Sequence, residues 1–117
     1  MTTFNTLDDY LETATKGDAR MVAVAETLKA IADACIEVAT VVSHGPLKRP
    51  VEQACGRNAD GDQQQALDIE SDHVFRAALR DMPVACLISE EIEAPLRMNA
   101  DAPLVVAIDP LDGSSNI

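Results

Sequence analysis

The sequence predicts a layered α/β or α+β sheet protein, on three observations. Helical periodicity runs through roughly the first 80 residues; two short runs rich in Val, Leu and Ile follow, "VACLISEE" (Val84 to Glu91) and "LVVAID" (Leu104 to Asp109); and both runs end in acids. Helices first, then buried strands, is the order of a sheet covered by helices.

Thr6 is placed to cap a first short helix over Leu7 to Thr15, with Asp8 and Asp9 in the turn where the helix dipole favours them, and Gly17 breaks it. A second helix follows Asp18 and runs to about His44, where Gly45 and Pro46 stop it. In it Glu26, Lys29, Asp33 and Glu37 form a polar stripe, and Val24, Leu28, Ile31, Cys35, Val38 and Val42 an apolar one. That spacing suits packing along another helix, in the core or at an oligomer interface. Pro46 to about Gln64 dissolves into a polar, Pro- and Gly-containing stretch that reads as a long loop. A third helix is predicted over about Gln65 to Asp81, with Leu67, Val74, Phe75, Ala78 and Met82 on one side. Between the two strand-like runs, "APLRMNADAP" is turn-like.

With 117 residues, 47% of them hydrophobic, the chain can form one domain. Twenty acidic residues against nine basic ones give a formal charge of −11, which repels nucleic acid and anionic lipid alike. The opening "MTTFNTLDDY" has no basic segment followed by an apolar run, so neither a secretory signal nor a transit peptide is expected, and a cytoplasmic setting is. Cys35, Cys55 and Cys86 are odd in number and lack a CxxC, which fits reduced thiols, Cys35 and Cys86 as small buried residues. His44, near a helix end, fits dipole compensation, and His73, amid acids, a solvated position.

Acids gather at Asp60 and Asp62, at Asp68, at Glu90 and Glu91, and at Asp109 and Asp112. Any single cluster reads as solvated turn residues. Their position is more informative, because Glu90, Glu91, Asp109 and Asp112 follow the carboxyl ends of apolar strands, where parallel sheets bind ligands. If the strands are parallel neighbours these acids converge, and the twelve residues between Glu91 and Leu104 span roughly 40 Å when extended, enough to return along the sheet. Carboxylates without histidine or thiolate suit Mg²⁺ or Mn²⁺. In "DPLDGSS" the Leu111 carbonyl adds an oxygen donor, Gly113 allows close backbone approach, and Ser114 and Ser115 offer hydroxyls and amides to a phosphate. An acidic site accepts a phosphate only through bound cations, so the pattern points to metal-assisted phosphate chemistry.

"DPLDGSSNI", preceded by "ISEE" and before that by "DGDQQQALDI", resembles the class I fructose-1,6-bisphosphatases, within the larger group that includes the inositol monophosphatases. The resemblance implies a layered α-β-α-β-α sugar phosphatase fold, of which residues 1–117 are the N-terminal part, interrupted after the "DPLDGSSNI" motif. It implies that Glu90, Asp109 and Asp112 bind Mg²⁺ through side chains and Leu111 through its carbonyl, Mn²⁺ being a substitute. Asp112, Gly113, Ser114 and Ser115 then border the reacting phosphate, Glu91 and Asp68 activate water, and Asp62 belongs to a loop that closes over the metals. The implied reaction is hydrolysis of the 1-phosphate of fructose 1,6-bisphosphate, in gluconeogenesis or the Calvin cycle, by a homotetramer of the full-length protein. The start of the long helix, "GDARMVAVAETL", lacks the Gly/Thr-rich turn of AMP-inhibited relatives. A sedoheptulose-1,7-bisphosphatase or dual sugar bisphosphatase is the enzymatic alternative. An acidic helical interaction module, binding a partner through the Val24 to Val42 stripe, is the non-enzymatic one.

Overall fold

Helix ends are set by short polar side chains close to where the sequence predicts them. The structure, a computed structural model, describes residue 3, residues 6–44 and residues 59–112, with residues 59–64 as backbone only. The Thr6 hydroxyl accepts the Asp9 amide at 3.1 Å and opens α1 (Leu7–Ala14). The chain turns through Gly17, whose φ of 82° suits a residue without a Cβ. Asp18 then caps α2 (Ala19–His44), its carboxylate accepting the amides of Arg20 and Met21 at 2.9 and 3.3 Å. In the last turn of α2, His44 Nδ1 lies 2.8 Å from the Thr40 carbonyl oxygen, a local helix-end role.

The third helix, α3 (Ala59–Leu79), starts six residues before the expected Gln65, so Asp60 and Asp62 lie on helical backbone and not in a loop. Gln63, Gln64, Gln65 and Ala66 are good helix formers, and one glycine, Gly61, costs such a segment only about 1 kcal/mol. The rest of the predicted loop, residues 45–58 with Cys55, falls outside the described residues.

Three strands form one sheet in the order β2-β1-β3, from β1 (Val84–Ser89), β2 (Leu96–Arg97) and β3 (Leu104–Ile108). β1 and β3 are parallel, paired from Val84↔Leu104 to Ser89↔Ile108 with a register shift between Val84 and Cys86. The link between them is not all turn, because Leu96 and Arg97 pair antiparallel with β1 before the chain crosses to its other side, turning at Asp101 with φ 67°. Asn99 ties this link down by donating from Nδ2 to the carbonyls of Arg80 and Met82 at 3.0 and 2.7 Å.

Ala34 and Val38 of α2 meet Phe75 of α3 in one cluster, on which Ile31, Val42, Val74 and Ala78 also pack. Leu79, Val84 and Leu87 form a second, joined to the first through Ile31 and Ile108. The α2 stripe is therefore spent on the core, as packing along a neighbouring helix. Its membership shifts: Ala23, Thr27 and Val41 are buried, while Leu28 and Cys35 are exposed. Small residues on the buried line let helices approach closely, and periodicity judged by the larger side chains passes over them. Glu26, Lys29, Asp33 and Glu37 all face solvent as expected.

Among the described residues the helices cover only one face of the sheet. Leu104, Val106 and Ile108 point toward them, while Val105 is 64% exposed and Ile88 is also exposed, so the expected burial of the strands holds for one face. No described helix is long and apolar enough to cross a membrane.

Candidate metal and phosphate site

Parallel pairing of β1 with β3 brings two distant acidic segments to the same sheet edge. The ladder extends one residue beyond β1, because the Glu90 amide donates to the Ile108 carbonyl at 3.2 Å. Glu90 and Asp109, 19 positions apart in sequence, are thereby held side by side. A hydrogen bond to Asp109 raises the Glu90 carboxyl above the ordinary glutamate range, and the Asp109 charge, desolvation and the charges of Glu91 and Asp112 push the same way. Glu91 is raised as well, first by desolvation and then by Asp68, Asp72 and Asp109. The charges of α3 and of the β3 end thus converge on the Glu90–Glu91 pair.

Glu90 and Glu91 follow the strand, as the sequence places them, and form the centre of a turn. The Ser89 carbonyl accepts the Ile92 amide at 3.1 Å, and the Ser89 hydroxyl accepts the Glu91 amide at 3.2 Å. Ser89 Oγ in turn donates to Asp72 Oδ1 at 2.9 Å, while Asp72 Oδ2 lies 2.7 Å from Arg76 Nε. Sequence reading missed the parts played by Ser89, Asp72 and Arg76. The signal for the ion pair was an Asp four residues before an Arg on one helix.

On the β3 side, Pro110 is buried and Leu111 packs against the Ala34–Val38–Phe75 cluster, which anchors the turn carrying Asp112 at the strand end. Asp112 is exposed, and Asp68, on α3, is half-buried. Gly113, Ser114 and Ser115 lie outside the described residues, as does the Asp62 side chain.

Among the described residues no three His, Cys, Asp or Glu side chains are gathered as a metal-binding group in this arrangement. The donor chemistry nonetheless fits a hard cation, since Mg²⁺ is commonly bound by one or two carboxylates, with waters and substrate phosphate completing the shell. Glu90 and Asp109 offer such a pair, and the mutual repulsion that raises the Glu90 carboxyl is of the kind a bound cation would offset.

The fructose-1,6-bisphosphatase N-terminal domain model matches residues 4–117. A class 1 fructose-1,6-bisphosphatase of Bradyrhizobium sp. strain BTAi1 is 53% identical over 93 residues, 80% of this chain and 27% of the relative. One from Methylorubrum populi is 43% identical over 113 residues, covering 97% of this chain and 32% of the relative. One from Xanthobacter autotrophicus is 46% identical over 112 residues, 96% of this chain and 30% of the relative. The chain thus spans about a third or less of the length of these curated relatives. With the family match running over nearly the whole chain, and the acids of "ISEE" and "DPLD" at one sheet edge, the chain belongs to the fructose-1,6-bisphosphatase N-terminal domain family.

Proposed function

We propose that the full-length protein is a Mg²⁺-dependent phosphatase that hydrolyses the 1-phosphate of fructose 1,6-bisphosphate to fructose 6-phosphate and phosphate. The observation that carries this reading is the Glu90–Asp109 pair at the carboxyl ends of two parallel strands. The names of the relatives supply the substrate.

In this reading Glu90, Asp109 and Asp112 hold Mg²⁺ through carboxylates and Leu111 through its carbonyl, with Mn²⁺ able to substitute. When bound, the ion polarises the phosphoryl group and offsets the site's negative charge. Glu91 accepts the proton of the attacking water at its carboxylate, and its raised pKa moves it toward the range where a base works near neutral pH. Asp68 supports that proton transfer from α3, and Asp62 acts from the first turns of the same helix. Gly113, Ser114 and Ser115, with Asp112, border the phosphate that the water attacks. The P–O bond to the sugar then breaks, and the sugar oxygen takes up a proton.

A sugar bisphosphate partner, a homotetrameric full-length form and a cytoplasmic setting belong to the same proposal. The expected assay result is phosphate release from fructose 1,6-bisphosphate by the full-length protein with Mg²⁺ and none with a chelator. Preference for sedoheptulose 1,7-bisphosphate in the same assay would change the substrate, and inactivity on both would refute the reading.

A further inference from the structure

Asp72 of α3 is 3% exposed, and Ser89 at the end of β1 is 4% exposed. The Asp72–Arg76 ion pair is weak evidence for stability, because Asp72 is buried while Arg76 remains one-third exposed, and desolvating the aspartate offsets much of their attraction. The two oxygens of Asp72 have different partners. Arg76 engages Oδ2, which leaves Oδ1 to accept the Ser89 hydroxyl, and a carboxylate oxygen paired in this way can only accept. The Ser89 proton is therefore committed to Asp72, and a lone pair of the same oxygen faces the Glu91 amide.

The two acids between the strands are thus held from two sides. The Glu90 amide is fixed by β3 through Ile108, and the Glu91 amide by α3 through Ser89 and Asp72. We propose that Asp72 is a positioning residue: through Ser89 it sets the turn that aims Glu90 at the cation and Glu91 at the attacking water. This inference rests on the metal-phosphatase reading above. Loss of the Ser89 hydroxyl leaves the Glu91 amide and Asp72 Oδ1 without their partners, so the turn loses its tie to α3.

The test uses the full-length protein and its Ser89→Ala, Asp72→Ala and Asp72→Asn variants. Three quantities are measured on each: Mn²⁺ affinity from the electron paramagnetic resonance of free Mn²⁺, kcat and KM for phosphate release from fructose 1,6-bisphosphate, and Tm. Ser89→Ala and Asp72→Ala are expected to bind Mn²⁺ about 10- to 100-fold more weakly and to lose kcat to a similar degree, with KM changed less than about threefold. Asp72→Asn keeps an oxygen for Ser89 and is expected to retain more of both. A purely structural role predicts a lower Tm with Mn²⁺ affinity and kcat within about twofold of the parent, and that result in Ser89→Ala overturns the proposal. Asp72→Ala gives the same reading if Ser89→Ala does not fold. A parent that binds Mn²⁺ but leaves fructose 1,6-bisphosphate intact refutes the substrate reading alone, whereas a parent that binds no Mn²⁺ refutes the positioning proposal too.

Discussion

Glu90 and Asp109 stand side by side at the carboxyl ends of parallel strands β1 and β3, and Asp109 holds the Glu90 carboxyl above its ordinary range. Two acids so placed cannot both ionise without repulsion unless a cation lies between them. Backbone pairing sets the arrangement, because Glu90 donates to Ile108, the residue immediately before Asp109.

The pair makes the metal-free protein sensitive to pH. Glu90 and Glu91 both stand above the ordinary glutamate value of 4.5, so the folded state holds their protons more tightly than the unfolded chain does. Their stabilising contribution is fully present below 4.5 and is lost as pH rises through the raised values. In chelator, Glu90→Gln should show a Tm advantage over the parent that grows with pH above this range and vanishes below it. A Tm difference independent of pH would contradict the raised Glu90 pKa.

Glu91 is the proposed base, so its carboxylate is needed for rate more than for binding. Glu91→Gln should lower kcat by about 10²- to 10⁴-fold while Mn²⁺ affinity stays near the parent's. Steady-state kinetics with a parallel Mn²⁺ titration checks this, and a parent-like kcat would remove Glu91 from the role.

Leu79 is fully buried where the end of α3 meets β1, against Val84 and Leu87. Leu79→Ala should cost about 2–5 kcal/mol of stability, since the sheet and helix cannot close the cavity fully. Urea unfolding of the full-length variant measures it, and a loss below about 1 kcal/mol would place Leu79 outside the core of the whole protein.

Local signals account for most of this fold. Thr6, Asp18 and Gly17 act at the helix boundaries where their side chains, or the lack of one, predict them. The parallel pairing that brings Glu90 to Asp109 is legible in the sequence only as a possibility, because strand direction depends on the path of the intervening chain. That path includes β2, whose two residues are too few to leave a periodic pattern. The start of α3 is hidden because Gly61 between two aspartates reads as a turn, although the glutamines that follow favour helix. Periodicity picks out Ala78 and passes over its larger, fully buried neighbour Leu79, and Cys35, expected inside, is turned outward by α2. At the site, the acids themselves are readable from composition and placement. The Asp72–Ser89 contact is not, because it joins residues 17 positions apart on a helix and a strand whose packing no local pattern records.

The most direct measurement is the initial rate of phosphate release from fructose 1,6-bisphosphate by the full-length protein and its Asp109→Asn variant, over a Mg²⁺ series. The substitution keeps the shape of the side chain and removes one of the two carboxylates proposed to face the cation. The parent should rise to a plateau with Mg²⁺, and Asp109→Asn should release no phosphate above background. A variant that turns over like the parent at the same Mg²⁺ concentrations would contradict the assignment of the Glu90–Asp109 pair as the metal site.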